Sequence, residues 1–307
     1  MRPTILCSII AATPLSLQSS LEAWRRRVHP LHQMRRVRAF RALARAIDRP
    51  VWTSLYGVSH PVRVYMLRDA SYLVNRRSPE PHIAALFLSI LRVKPVAFFW
   101  DVGANIGYYS WLIASASPAT KVLAIEPDPT NLEMLCSSRE YVPRVEILEA
   151  AVSSKDGTAT FARDEVSGAT GTLETAERTF SERHYRAQSR PIEVITRTFD
   201  SIGLERGFPD LVKIDIEGHE ADAACGGTKL FERSPLVVIE SFDPTSSALE
   251  KLRAAGYRLL NAEALTDATP SDGNYLAIGE SDHRLLPLLR EEYKRALADA
   301  GLTGRHS

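Results

Sequence analysis

The feature that most limits the folds open to this chain is a rhythm that begins near residue 97. Ala97-Phe98-Phe99-Trp100 is a short apolar run closed by Asp101-Val102-Gly103, and a helix is expected from Ile106 to about Ser115. Residues 121–125 form a second run, and Asp128-Pro129 behind it supplies a helix N-cap followed by proline at the first helical position. Residues 145–148, 211–214 and 236–239 repeat the pattern, with helices after the last two, and 257–260 and 275–278 make a closing pair. Strands that alternate with helices build a parallel sheet covered on both faces. A doubly wound α/β domain is the expectation, and no internal repeat is visible.

The segment ahead of this body differs in charge. From Met1 to Arg77 there are 14 arginines and no lysine against Glu22, Asp48 and Asp69, a balance of +11 in a chain whose net charge is only +1. The other 230 residues therefore carry −10. The apolar positions Leu21, Trp24, Val28, Leu31, Met34, Val37, Phe40, Leu43 and Ile47 step by three and four along one helical face, interrupted at Pro30. A basic amphipathic arm over residues 1–50 suits either packing on the body or contact with an anionic membrane or glycolipid through residues 21–50. It carries no recognised nucleic-acid module, so nucleic acid is not the expected partner.

Residues 1–12 resemble a weak signal peptide, yet a dense arginine cluster follows and no small-residue cleavage site is evident. No apolar run approaches the ~18 residues of a membrane-spanning helix. Cys7, Cys136 and Cys225 are odd in number and far apart, which fits a reducing compartment rather than a disulfide framework. The expected location is cytoplasmic, with the arm peripheral at the inner membrane face. Residues 51–95 read as a hairpin, with 62–67 pairing 71–74, and a helix from 82 to 92 that leads into the core. The stretch from Ser153 to Pro191 is polar and reads as a long loop, either an acceptor-side lid or a disordered insert.

The first strand–helix turn carries the chemistry. A dinucleotide fingerprint starting at Gly103 needs glycine at 105 and 108, where the chain has Asn105 and Tyr108. A phosphate-binding loop fails as well, because no Gly-Lys-Ser/Thr follows. What stands there is D-x-G-x-x-x-G, whose glycines admit close backbone approach to a small ligand. Glu126 ends the second strand 23 residues after Gly103, where a carboxylate can accept from ribose hydroxyls. An adenosine ligand with positive charge and no phosphates is S-adenosylmethionine.

These residues resemble the FkbM-type S-adenosylmethionine-dependent methyltransferases. The likeness rests on FWDVGANIGYY (99–109), VLAIEPDP (122–129), AAVSSKDG (150–157), RTFDSI (197–202), VKIDIEGHE (212–220) and LVVIE (236–240), spread over roughly residues 62–280. After Glu220 the chain departs from the family, with small and polar Ala221-Asp222-Ala223-Ala224 where large aliphatics are usual. The resemblance implies a class I methyltransferase fold, a Rossmann-like doubly wound sheet of seven strands with the last antiparallel, expected over residues 96–282; the arm before residue 50 and a C-terminal helix expected over 283–307 lie outside the resemblance. It implies O-methylation of an alcohol on a sugar, glycolipid, polyketide or related metabolite. By position, Asp101, Gly103, Asn105 and Gly107 would line the methionine part of the cofactor, Glu126 would take the ribose, and Ala150 and Ala151 would lie against the adenine edge.

Methyl transfer to an alcohol needs alignment and a group to accept the hydroxyl proton. Asp215, Glu217 and His219 follow the fourth strand and Glu240 ends the fifth, at the sheet edge where ligands of open α/β folds bind. An extended chain places Lys213, Asp215 and Glu217 on one face. His219 is a candidate base or a polar residue at a helix start, and Lys213 with Glu240 reads as a structural ion pair. His82 and His184 are further histidines that can reach an acceptor from flanking segments. H-E-x-x-H fails at Ala223; the carboxylates could hold Mg²⁺, but no ligand spacing demands a metal. The competing reading is a non-catalytic cofactor-binding module that docks through its basic arm.

Overall fold

The computed structural model describes residues 38–74, 78–163, 171–173, 190–241, 246–268 and 273–302. The amphipathic pattern over residues 21–37 and His184 lie outside these.

Seven strands form the central sheet: β3 (Phe98–Val102), β4 (Lys121–Glu126), β5 (Val145–Glu149), β10 (Leu211–Ile214), β11 (Leu236–Ser241), β12 (Arg258–Asn261) and β13 (Gly273–Ile278). Their order across the sheet is β12-β13-β11-β10-β3-β4-β5. β13 runs antiparallel to both its neighbours, while β11, β10, β3, β4 and β5 are parallel. This is the class I methyltransferase arrangement, with the last strand reversed as expected.

Period-two alternation separates two cores. Phe99, Val122, Ala124, Leu211, Val238 and Leu276 face one layer of helices, and Trp100, Val102, Leu123, Val212, Val237 and Ala277 face the other. The first layer holds α3 (Pro81–Val93), α4 (Tyr108–Ala116), α5 (Pro129–Arg139) and the C-terminal α10 (Leu286–Asp299). The second holds α6 (Phe199–Arg206), α7 (Glu220–Cys225), α8 (Thr228–Glu232) and α9 (Ser247–Ala254). Both sides being covered explains why the strands read as unbroken apolar runs. Asp128 caps α5 as anticipated, accepting from the backbone N–H of Thr130 at 2.7 Å. α10 lies along α3, tied by the Arg92–Glu292 pair, while Lys94 just after α3 pairs with Asp282 ahead of α10, and the C-terminal helix shares its core with the body.

Two expectations are corrected. β2 (Val62–Tyr65) pairs not with 71–74 but with the earlier β1 (Pro50–Thr53), and α2 (Ala70–Val74) is helical. Carboxylates drive this. Asp48 accepts from the Leu67 and Arg68 N–H groups at 2.7 and 2.9 Å, and Asp69 accepts from the Tyr65 N–H at 2.7 Å, so the chain turns after β2 instead of forming a hairpin. α1 (Arg38–Ile47) precedes β1.

The polar stretch after Ser153 is not simply a loop. β6 (Ala151–Val152), β7 (Gly157–Arg163), β8 (Thr172–Leu173) and β9 (Arg190–Arg197) form a second sheet in the order β6-β9-β7-β8. Thr158-Ala159-Thr160-Phe161 alternates outward and inward residues, and Phe161, Leu173 and Val194 bury a small third core with Ala151. The rest of the anticipated lid lies outside the described residues.

The strand order reverses direction between β3 and β10, and at that crevice the carboxyl ends of the parallel strands present ligand-binding groups.

Candidate active site

β3 and β10 run in register, with Lys213 beside Asp101 and Ile214 beside Val102, and the Asp215 N–H donates to the Val102 carbonyl at 3.1 Å. Beyond the last pair the two chains pass so closely that a Cβ on Gly103 would sit 1.8 Å from the Asp215 carbonyl oxygen; Gly103 also has φ of 77°. Only glycine meets both demands. Gly103→Ala is therefore expected to lose about 1–3 kcal/mol of stability, read as a lowered thermal midpoint, together with the cofactor site. An alanine variant of wild-type stability would show that this crossing is looser than drawn.

A cleft of about 580 Å³ opens at this crossing. Gly103, Asn105, Glu126, Ala150 and Ala151 line it on one side. Glu126 is buried, and its Oε2 accepts from the Asn105 N–H at 2.7 Å. Its Oε1 accepts from the Asp128 N–H at 2.9 Å and from Asn131 Nδ2 at 3.2 Å. Burial pushes its pKa up to about 7, against the pull of these donors. Oε1 already has two donors and Oε2 only one, which leaves room for a ligand hydroxyl at Oε2. Asn105 holds φ of 53°, and its buried Oδ1 has no hydrogen-bond partner among the described residues. An orphaned acceptor on Asn105 and an under-filled carboxylate on Glu126, both residues of one cleft wall, fit a ligand that brings hydroxyl or ammonium donors.

Two of the residues assigned to the cofactor do not line the cleft. Asp101 is buried within β3, where its Oδ2 accepts from the Ser110 N–H and hydroxyl at 2.9 and 2.7 Å and ties the strand to α4. Gly107 starts α4 at φ of 84°, with Leu135 and Trp111 filling the space a side chain would need. Both shape the turn from behind.

Acidic groups gather at the opposite side of the crossing. Asp215 and Glu217 line the cleft, and the carboxylate oxygens of Asp215, Glu217 and Glu240 lie within 4.8 Å of one another. The strand ends at Ile214, so it is not an extended chain that brings Glu217 round but a turn, with φ of 55° at Glu217 and 98° at Gly218. A positive φ at a non-glycine residue stores strain of the kind that collects at functional sites. Glu220 holds the turn, accepting from the Gly218 N–H at 3.0 Å.

The charge pairing differs from the expected Lys213–Glu240 contact. Lys213 Nζ lies 2.7 Å from Asp215 Oδ2, and Glu240 is hydrogen-bonded to Asp215 instead. The reason is register: Lys213 stands beside Val238, so Glu240 falls opposite Asp215. Burial works to raise the pKa of Asp215, but Lys213 and the Glu240 hydrogen bond hold it below its ordinary value. Glu240 moves the other way, pushed far up by burial and then by the Asp215 charge. At neutral pH Asp215 is the anion and Glu240 the protonated donor to it.

His219 also lines the cleft, on the wall shared with β6. Its Nε2 lies 3.0 Å from Ser153 Oγ, and burial lowers its pKa, so the ring is neutral at pH 7. His82 packs away from the cleft, with its Nδ1 3.4 Å from the Tyr293 hydroxyl. The sequence reading missed Phe161 and Leu173, which form part of the cleft wall, and Arg163, which reaches back to Asp128 at 2.8 Å. The period-two pattern of residues 157–163 was the available signal.

The model of the methyltransferase FkbM domain matches residues 101–259, just over half of the chain. The 2-O-methyltransferase NoeI of Sinorhizobium fredii is 25% identical over 185 residues, covering 58% of this chain and 76% of that protein. The hexuronic acid methyltransferase AglP of Haloferax volcanii is 28% identical over 145 residues, covering 46% of this chain and 54% of that one, so the chain spans about half of AglP. Among solved structures, the precorrin-6y C5,15-methyltransferase of Geobacter metallireducens aligns with a TM-score of 0.38 and 16% identity, over 66% of this chain and 89% of that one. The matched residues contain the Gly103 crossing, Glu126, Asp215 and Glu240 together, and on that match the chain belongs to the family of FkbM-domain methyltransferases.

Proposed function

We propose that this protein transfers the methyl group of S-adenosylmethionine to a hydroxyl of a sugar or related metabolite. The observation that carries the reading is one cleft with an under-filled carboxylate edge at Glu126 on one side and an ionised Asp215 on the other. The names of NoeI and AglP point to sugar acceptors for those two proteins. In this chain Glu126 would hold a ribose hydroxyl, Ala150 and Ala151 leave a flat wall for the adenine, and Asn105 Oδ1 takes a donor of the amino-acid end. S-adenosylmethionine, when bound, supplies an electrophilic methyl group on a sulfonium.

The protein's own part is placement and charge. Asp215 accepts a hydrogen bond from the acceptor hydroxyl, which aims an oxygen lone pair into the cleft. A hydroxyl oxygen that gains a methyl group makes its proton strongly acidic, so a carboxylate of low basicity is enough to receive it. Lys213 and Glu240 keep that carboxylate ionised until then. His219, engaged with Ser153, braces the adenine wall. The alternative of a docking module without catalysis leaves the group of buried Lys213 with half-buried Asp215 and Glu240 without a purpose.

Titration calorimetry tests the cofactor. S-adenosylmethionine should bind and NAD should not, and Glu126→Ala should abolish binding while the fold persists. The pH dependence has a definite sign. Free Glu126 titrates near 7, and a hydroxyl donor favours its ionised form, so the complex holds fewer protons than the free protein below that pH. Affinity should fall by up to about tenfold per pH unit below 7 and level off above it. Glu126→Gln should bind more weakly and without this slope. A wild-type affinity indifferent to pH between 5.5 and 8 would remove Glu126 from the ribose.

A further inference from the structure

Nine large apolar side chains are exposed among the described residues, and five of them lie between residues 43 and 66: Leu43, Ile47, Trp52, Tyr56 and Met66. A sixth, Tyr141, sets its ring against Trp52 at 5.3 Å, and His60 stacks on Tyr141 at 6.2 Å. Singly exposed apolar residues are ordinary, but a cluster of this kind marks an interaction surface. Its parts are joined. The Met66 N–H donates to the Arg49 carbonyl, Asp48 binds the backbone of residues 67 and 68, and the Arg63 N–H donates to Ser138 at the end of α5, just before Tyr141. The end of α1, the β1–β2 ribbon and the loop after α5 are therefore neighbours in one region of the surface, with Trp52, Tyr141, His60 and Arg63 in ring contact within it.

Its charge is as distinctive as its apolarity. Arg45 and Arg49 are exposed beside Leu43 and Ile47, and the Arg63 guanidinium lies 5.1 Å over the Trp52 ring. The acids of residues 38–69 are occupied internally, Asp48 by backbone N–H groups and Asp69 by Arg68, and exposed Glu140 beside Tyr141 is matched by exposed Arg139. The preceding sequence adds further arginines on an amphipathic pattern. Tryptophan and tyrosine beside arginine, on a helix with exposed leucine and isoleucine, is the composition that seats at a lipid–water boundary. We propose that the face formed by α1, β1–β2 and Tyr141 docks on an anionic lipid bilayer. No helix among the described residues is long and apolar enough to cross a membrane, so the contact is peripheral. This surface is separate from the cleft, and the proposal stands whichever acceptor the cleft takes.

The test uses the full chain carrying Trp24→Phe, mixed with vesicles of phosphatidylcholine alone or with a third phosphatidylglycerol. Of the other three tryptophans, Trp100 and Trp111 are fully buried, so Trp52 reports the surface. Cosedimentation is expected with anionic vesicles only, weakening as salt rises. The Trp52 emission should shift to the blue and be quenched by brominated lipid. Leu43→Ser/Ile47→Ser/Met66→Ser, all exposed positions, should weaken binding about tenfold or more with an unchanged thermal midpoint. Equal binding to both vesicle types, equal binding of the triple variant, or a concentration-dependent dimer that buries Trp52 in the absence of lipid would each overturn the proposal.

Discussion

Asp215→Asn should lower turnover at saturating S-adenosylmethionine by about 10²–10⁴-fold, while the affinity for the cofactor changes little. The substitution keeps shape and a carbonyl oxygen for Lys213, but removes the one group near the cleft that is held ionised by both a lysine and a protonated neighbour. Glu240→Gln separates the roles within the pair. Glutamine still donates a hydrogen bond to Asp215 through its amide, so activity should stay within a few-fold of wild type if Glu240 serves as donor. A loss equal to that of Asp215→Asn would mean that the proton resides the other way round. The pH profile gives a second reading. The Asp215 pKa is held below its ordinary value, so turnover at saturating cofactor should show no rising limb between pH 6 and 8. A histidine base would place a limb near or somewhat below pH 6.5. His219→Gln, if it cost more than Asp215→Asn and removed such a limb, would transfer the role to His219.

Much of this site was legible because it depends on local sequence. A glycine at 103 and a carboxylate at 126 follow from what a β–α turn and a strand end can present to an adenosine, and the structure puts both on one cleft. The fold was legible for the same reason, since buried parallel strands leave unbroken apolar runs. What could not be read was set by register across chain-distant strands. Glu240 faces Asp215 because Lys213 pairs with Val238, and nothing in residues 211–220 states that offset. Asp101 looked like a ligand contact from its place in the motif, yet one hydrogen-bonding helix N-terminus turns it inward. The second sheet was overlooked because a polar stretch whose large buried apolar residues, among those described, are Phe161, Leu173 and Val194 gives a weak apolar signal. The pairing of β2 with β1 turned on the side chains of Asp48 and Asp69, whose capping reach is a tertiary matter.

Lys213→Met should be the most damaging change to stability, costing about 3–5 kcal/mol and lowering the thermal midpoint by roughly 10 °C. Lys213 is 5% exposed and has Asp101, Asp215 and Glu80 around it, with its ammonium 5.0 Å from the centre of the Tyr109 ring. Burial disfavours its charge, but the surrounding carboxylates outweigh that and raise its pKa, so it is a cation at any pH the protein survives. Methionine fills much of the same volume, which leaves the stranded acids as the main source of the loss. The sign of the pH dependence follows. Without the lysine, burial and mutual repulsion raise the carboxyl pKa values above those of the unfolded chain, and the native state then binds more protons than the unfolded one. Stability of the variant should fall as pH rises through that window, so the deficit against wild type should be largest near pH 8 and should shrink toward pH 5. Adding Asp101→Asn to Lys213→Met should recover part of the loss, because the amide oxygen introduced there can still accept from Ser110 without bringing a charge. A Lys213→Met protein as stable as wild type at pH 8, or one whose deficit grows toward acid, would show that the lysine does not neutralise this group. The low Asp215 pKa on which the turnover prediction rests would then lose its cause.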